Sequence, residues 1–416
     1  MRDIFLFRDS LANKISYYHL LLLLASLPFD RFYNHLILIS FAIHTLIQLD
    51  VKRIKLVFNI KTLMLQSVFY VTVLATVYSS NKGQAFTEWG AQVSIFIIPV
   101  FLGLNPLDLK KYRQPLLLGF ALVCTATMIY LYADAWRTIR HYQLPLLALF
   151  SNAFTNHNFS EPIGMHATFF SMQVVIALAC LLSQLFKPGK FFEKTICAVC
   201  CIILLAGLIQ LSSKSIFVIL IIVLNIVFPW FLMKRGNRWK YMMISVLLTG
   251  IITAGILTSG TFKDRYIVEL RQDLSVRRAG ETTDGRLSRW NVAWGLIKQS
   301  PVIGHGSGTE IGLLQDGFFN NKLYNSYLNR LNAHNQYLSF LIKSGVVGLA
   351  IYLATLAFGF KMAWREKDLL FLTFMLLVAI VSCSENILDV DKGVCFYGVF
   401  FGVFVVGKKS GGRKDE

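Results

Sequence analysis

The sequence predicts an all-α integral membrane protein with about 12 transmembrane helices, and composition, apolar periodicity and charge asymmetry carry that prediction. Hydrophobic residues make up 55%, charged residues only 15%, and mean hydropathy is +0.56, outside the range of soluble domains. In a soluble chain the net charge of +18 would point to nucleic acid. Here its distribution follows membrane topology instead, so no nucleic-acid partner is expected.

About 20 apolar residues cross a bilayer. Runs of that kind predict spans at 15–29, 32–49, 62–79, 89–107, 115–133, 165–186, 195–211, 216–233, 241–259, 335–360, 369–384 and 393–407. The first is short enough to resemble a signal peptide, but Leu24-Ala25-Ser26-Leu27-Pro28 lacks a small-residue cleavage pattern, and the segment is retained as a helix. Short loops on the side of the termini hold 24 Lys and Arg, against 6 in the opposite short loops. Because cytoplasmic loops collect basic residues, both termini are assigned to the cytoplasm. All 7 cysteines fall inside predicted spans and read as packing residues, without a disulfide or a metal site.

No internal repeat or linker divides the chain, so 1–416 reads as a single domain. Two longer segments face outward. The smaller, 134–164, carries Arg137, Arg140, His141 and His157 and is rich enough in Leu and Phe to lie on the membrane surface. The larger, 260–334 between the ninth and tenth spans, is the only long polar stretch and holds 10 basic residues. A loop of that kind is suited to an anionic ligand.

Within the larger loop, Asp284 is placed to cap a helix that Pro301 ends. Leu287, Trp290, Trp294 and Ile297 would form one apolar stripe facing lipid, with Arg286 and Arg289 on a neighbouring stripe. Two guanidinium forks near a helix N-terminus suit phosphate, although pairing with Glu281, Asp284 or lipid headgroups competes with that reading. His334, followed by Asn335, stands where the loop re-enters the bilayer, and histidine's ordinary pKa of ~6.5 makes it a candidate general base. A capping or interfacial histidine is the competing reading. Lys214 is the single charge between two apolar runs, marking either a site or a snorkelling helix end. Lys343, inside the tenth span, is placed to face an internal cavity. Gly304-His305-Gly306-Ser307-Gly308 reads as a flexible turn, and Asp389-Val390-Asp391 as a helix-end charge pair without metal.

Several of these motifs together resemble the O-antigen ligase family, which includes O-antigen polymerases and protein oligosaccharyltransferases. They are Gly285-Arg286 with Trp290, Pro301 followed by Gly304 and Gly306, His334-Asn335 with Tyr337-Leu338, Gly345-x-x-Gly348, and Ser384-Glu385-Asn386-Ile387-Leu388-Asp389. They cover about residues 205 to 400. The resemblance implies a GT-C-like glycosyltransferase, using neither nucleotide nor metal and no cofactor, on the periplasmic face of the bacterial inner membrane. Its donor would be an undecaprenyl diphosphate-linked glycan and its acceptor lipid A-core or another glycan.

Carried over residue by residue, the family's loop arginine falls on Arg286, its histidine on His334 and a further arginine on Arg265. Lys214 stands where many relatives carry arginine, keeping the charge and losing the fork. On this reading His334 and Arg286 are catalytic in an inverting displacement, and Arg265, Lys214, Arg289 and Asn335 bind substrate. Ligation to lipid A-core is the expected reaction, with a polysaccharide polymerase or a polysaccharide flippase as the alternatives.

Overall fold

The computed structural model describes residues 8–275 and 284–406, and among them there is no strand. A helix lies at each of the predicted span positions. They are α1 (Leu11–Ser26), α2 (Arg31–Ile47), α3 (Ile60–Thr76), α4 (Lys82–Leu104), α5 (Leu109–His141), α6 (Ala167–Leu185), α7 (Phe191–Leu211), α8 (Lys214–Leu232) and α9 (Arg238–Leu257), then α12 (Gln336–Arg365), α13 (Leu369–Val381) and α14 (Asp391–Val406). Between α9 and α12 the large loop contributes α10 (Arg286–Gln299) and α11 (Glu310–Asn320). Of the described helices, 7 are long and apolar enough by length and composition to cross a membrane, which makes this an all-α multi-pass membrane protein.

Short polar residues at the span boundaries do the work of caps. The side chains of Ser10, Asp30, Asn59, Asn81, Asp108, Asn335 and Asp368 each accept a backbone N–H in the first turn of the following helix. α6 is buried nearly all round and forms the centre of the bundle, whereas α9 buries none of its residues and stands at the edge.

One seam joins loop and bundle. α12 is interrupted at Gly345, where φ is 61° and ψ −160°. A break in a helix at membrane depth frees backbone groups that need partners. The Pro301–Gly306 segment supplies them. Val346 and Val347 donate to the carbonyls of Pro301 and Val302 at 2.9 and 3.2 Å, and His305 and Gly306 donate to those of Ile342 and Lys343 at 2.8 Å. A Cβ on Gly345 would lie 2.2 Å from the Val302 carbonyl oxygen, and one on Gly304 2.5 Å from the Lys343 backbone. Residues 304–308, expected as a flexible turn, are therefore packed in place, because only glycine permits this approach at positive φ.

The large loop has its own small core of Ala293, Leu296, Ile297, Leu314, Phe318, Leu323 and Ala333, closed by Ile342 of α12. This corrects the expected lipid-facing stripe. α10 turns Ser288, Arg289, Ala293, Leu296 and Ile297 inward, while Trp294 is 50% exposed and Trp290 donates its indole N–H to the Ala333 carbonyl at 2.9 Å. The expected Asp284 cap is also replaced. Gly285 occupies the N-cap position without a side-chain bond, because Asp284 Oδ2 accepts the N–H and hydroxyl of buried Ser326 at 2.8 and 3.0 Å. Glu281 lies outside the described residues.

The smaller loop folds back on the bundle. Gln210 of α7 donates its amide to the Leu149 and Phe154 carbonyls at 2.6 and 2.5 Å, and Phe154, Phe159 and Ile163 are buried. All described cysteines are free and buried except Cys383, which is exposed at the turn after α13 rather than packed between helices.

Candidate active site

At the loop-bearing end of the bundle, five separate segments bring charge together. Arg286 lies in the first turn of α10, Lys214 begins α8, Arg265 sits in a π-helical turn at Asp264–Val268, His334 precedes α12, and Glu385 lies between α13 and α14. The ionic contacts run as an alternating chain. His334 Nδ1 is 3.3 Å from Glu385 Oε2, and Glu385 Oε1 is 3.7 Å from an Arg286 nitrogen. Arg286 approaches Asp273 at 3.9 Å, and Asp273 accepts from Lys214 Nζ at 3.0 Å. Lys214 also meets Glu269 at 3.4 Å, and Glu269 pairs with Arg265. His334 and Arg286 thus share one carboxylate, and the expected cations Lys214 and Arg265 follow on the same chain.

His334 holds a left-handed backbone, φ 45°, which a residue adopts only where its surroundings fix it. They do so on every side. Its N–H donates to Asn332 Oδ1 at 2.9 Å, the preceding Ala333 N–H to Glu310 Oε1 at 3.3 Å, and the following Asn335 N–H to Asn386 Oδ1 at 2.8 Å. With Nδ1 turned to Glu385, Nε2 is the nitrogen left for an incoming proton.

Glu385 itself is buried, which raises a carboxyl pKa. The hydrogen bond and charge of His334, followed by the charge of Arg286, outweigh burial and hold it below the ordinary carboxylate range. A depressed folded pKa contributes stability above the ordinary value of ~4.3 and loses it as pH falls through the depressed value. Glu385→Gln is therefore expected to lower the melting temperature at neutral pH, and the difference from wild type should shrink under acid below that range. A difference that grew on acidification would contradict the ion-pair assignment.

Two expected substrate-binding residues are placed differently. Asn335 is engaged as the α12 cap, its oxygen accepting from the Tyr337 and Leu338 N–H groups and its amide donating to the Cys383 carbonyl at 3.3 Å, so it fixes the turn that presents His334. Arg289 is only 6% exposed, and its Nε and Nη1 find no hydrogen-bond partner among the described residues. Burial and the neighbouring Arg286 lower its pKa to about 10.

Lys343 and Asp389 are also corrected. Lys343 faces an ion cluster rather than a cavity. Its Nζ lies 2.7 Å from Asp389, 3.8 Å from Glu310 and 3.9 Å from Glu88, all with little exposure. Asp389 is consequently no helix-end pair with Asp391. It also accepts from Ser339 and Asn386 at 3.0 Å, and Asn386 donates to Glu310 at 3.2 Å. Burial raises the Glu310 pKa against the pull of Lys343. This network is the floor beneath the His334 and Glu385 turns. Asp391 pairs instead with His35 at 3.1 Å, and with Cys395 these two are the one group of possible metal donors found together among the described residues.

Beside the ionic chain opens a cavity of about 410 Å³. Lys214, Asp273 and Arg286 line its polar end, and Val218, Ile256, Leu257, Tyr266 and Leu270 line much of the rest, so α8, α9 and the first part of the large loop contribute its walls. A charged head and an apolar body match an amphiphile whose head is anionic.

Glu385, Glu310, His157 and His166 were not singled out as site residues from sequence. Their signal was weak: a lone carboxylate in a short turn, a loop glutamate, and isolated histidines far from the arginines in the chain. Both histidines lie within electrostatic reach of Glu385 and Arg265.

Residues 198–353 match a family model described as O-Antigen ligase, a segment holding Lys214, Arg265, Arg286, His334 and the Gly345 seam. No curated protein matches the chain.

Proposed function

We propose, from the premise that this chain belongs to the O-antigen ligase family, that it moves a glycan from undecaprenyl diphosphate to an acceptor at the periplasmic face of the inner membrane. The coarser activity, a membrane glycosyltransferase of the O-antigen ligase and polymerase type, follows from the family. The observation that carries the finer reading is the chain of contacts linking His334, Glu385, Arg286, Asp273 and Lys214 at the polar end of an apolar cavity.

On this reading the carrier's polyprenyl tail lies between α8 and α9, and its diphosphate meets Lys214, Arg265 and Arg286. The acceptor hydroxyl gives its proton to His334 Nε2 while its oxygen bonds to the anomeric carbon. The bond from that carbon to the phosphate oxygen breaks, and the electron pair leaves with the diphosphate, whose charge the cations stabilise. Attack opposite the leaving group inverts the anomeric centre in one displacement, without a metal. Glu385 orients the imidazole and stabilises its protonated form.

Arg286→Lys keeps the charge and loses the fork that reaches Glu385 and the Ser384 carbonyl together. Transfer by this variant is expected to fall about 10-fold to 100-fold, the equivalent of one charge-assisted hydrogen bond at about 1.5–3 kcal/mol. An Arg286→Lys enzyme as fast as wild type would remove Arg286 from the diphosphate site.

The acceptor is assigned as lipid A-core. Purified protein in proteoliposomes, given a lipid-linked glycan and each acceptor in turn, tests this. Product on lipid A-core is expected, and elongation of nascent glycan would make the protein a polymerase. Movement of labelled carrier across the bilayer with no new glycosidic bond would favour a flippase.

A further inference from the structure

Two histidines from the smaller loop remain outside this mechanism, and their local geometry is alike. His157 follows Asn156, which holds φ 56°, and its Nδ1 accepts the Ala167 N–H at 3.3 Å. His166 caps α6, its Nδ1 accepting the Thr168 N–H at 3.3 Å. Their ring centroids are 3.9 Å apart. A ring nitrogen that accepts a hydrogen bond carries no proton, so each ring's single proton sits on Nε2. Neither Nε2 has a hydrogen-bond partner among the described residues, and both rings are reachable by solvent.

The electrostatics keep the pair uncharged. Burial, followed by the charge of Arg265, lowers the His157 pKa, and burial pushes His166, which precedes its span, down to about 4. Protonating either would also cost the backbone bond that positions it. Two neutral N–H donors within electrostatic reach of Arg265 add no charge for a phosphate. They match an uncharged oxygen-rich group, and in a glycan carrier that group is the sugar next to the diphosphate.

Resting on the function proposed above, we infer that His157 and His166 recognise carbohydrate hydroxyls of the carrier-linked glycan through their Nε2–H groups. They are specificity-determining residues rather than acids or bases. Thr168, whose N–H His166 accepts, shares a 3.3 Å hydrogen bond with Ser213 next to Lys214, and Arg265 donates to the Ser212 carbonyl at 3.4 Å, which sets the pair at the reacting end of the glycan.

Asparagine isolates the inferred contact. Its side-chain oxygen replaces Nδ1 as acceptor, and it is a strong helix cap, so His157→Asn and His166→Asn preserve the loop while removing the distant donor. Binding to full-length protein in nanodiscs is measured with two probes, undecaprenyl diphosphate and the same carrier bearing a glycan. The double variant is expected to bind the glycan-bearing carrier about 10-fold more weakly, as for lost neutral hydrogen bonds, and the bare carrier unchanged. Equal weakening for both probes, or none for either, overturns the inference. If wild type binds neither probe, or Arg286→Ala weakens neither, the carrier reading itself fails, which is a distinct result.

Discussion

Replacing His334 by alanine is expected to reduce glycan transfer about 10²-fold to 10⁴-fold, the range general-base catalysis supplies. The imidazole Nδ1 lies 3.3 Å from Glu385, and Glu385 links it to Arg286. Removing it takes away the proton acceptor while leaving the cations, so carrier binding should persist as turnover is lost. His334→Asn is the sharper version, because asparagine tolerates the left-handed φ of 45° and keeps the turn intact. Initial rates in proteoliposomes, with carrier affinity measured alongside, decide the matter. Wild-type turnover by either variant would assign the base to another group.

The second large effect is on folding. Lys343→Met leaves Asp389, Glu310 and Glu88 facing one another in a buried setting without their cation. Breaking a buried ionic cluster by removing one partner costs about 3–5 kcal/mol. Glu310 also holds Ala333, and Asp389 holds Asn386, so the loss should reach His334 and Glu385 and depress transfer as well. Thermal unfolding in detergent should show a markedly lower midpoint, partly restored by adding Asp389→Asn. A Lys343→Met protein as stable as wild type would show that the cluster does not depend on its lysine.

The helices were legible because a bilayer imposes a length on apolar runs, and chains crossing it must cap their ends with short polar residues. The twelve predicted spans each meet a helix for that reason. Arg286, Lys214 and His334 stood out in the sequence through their places in or beside the outward-facing polar segments, and Arg265 only through the family resemblance. The carboxylates that organise them did not. Glu385 meets His334 across 51 residues, and the partners of Lys343 come from α4, α11 and the turn before α14. Spacing within one helix carries no trace of such meetings. The same limit explains α10: Trp290 and Trp294 dominated the apolar pattern, but the face that turns inward is set by what α11 and α12 offer it, which is the small surface of Ala293.

The seam at Gly345 decides how a substrate must arrive. Four backbone hydrogen bonds rivet residues 301–306 to the broken helix, with carbonyl and amide partners too close to admit a methyl group. Fastened there, the large loop is no hinged door that swings away from the membrane to admit cargo from above. α8 and α9 line the apolar part of the cavity, and α9 buries none of its own residues. On the proposed function, a carrier lipid would enter sideways between α8 and α9, sliding in from the surrounding leaflet without leaving it, and its long tail would never have to cross water.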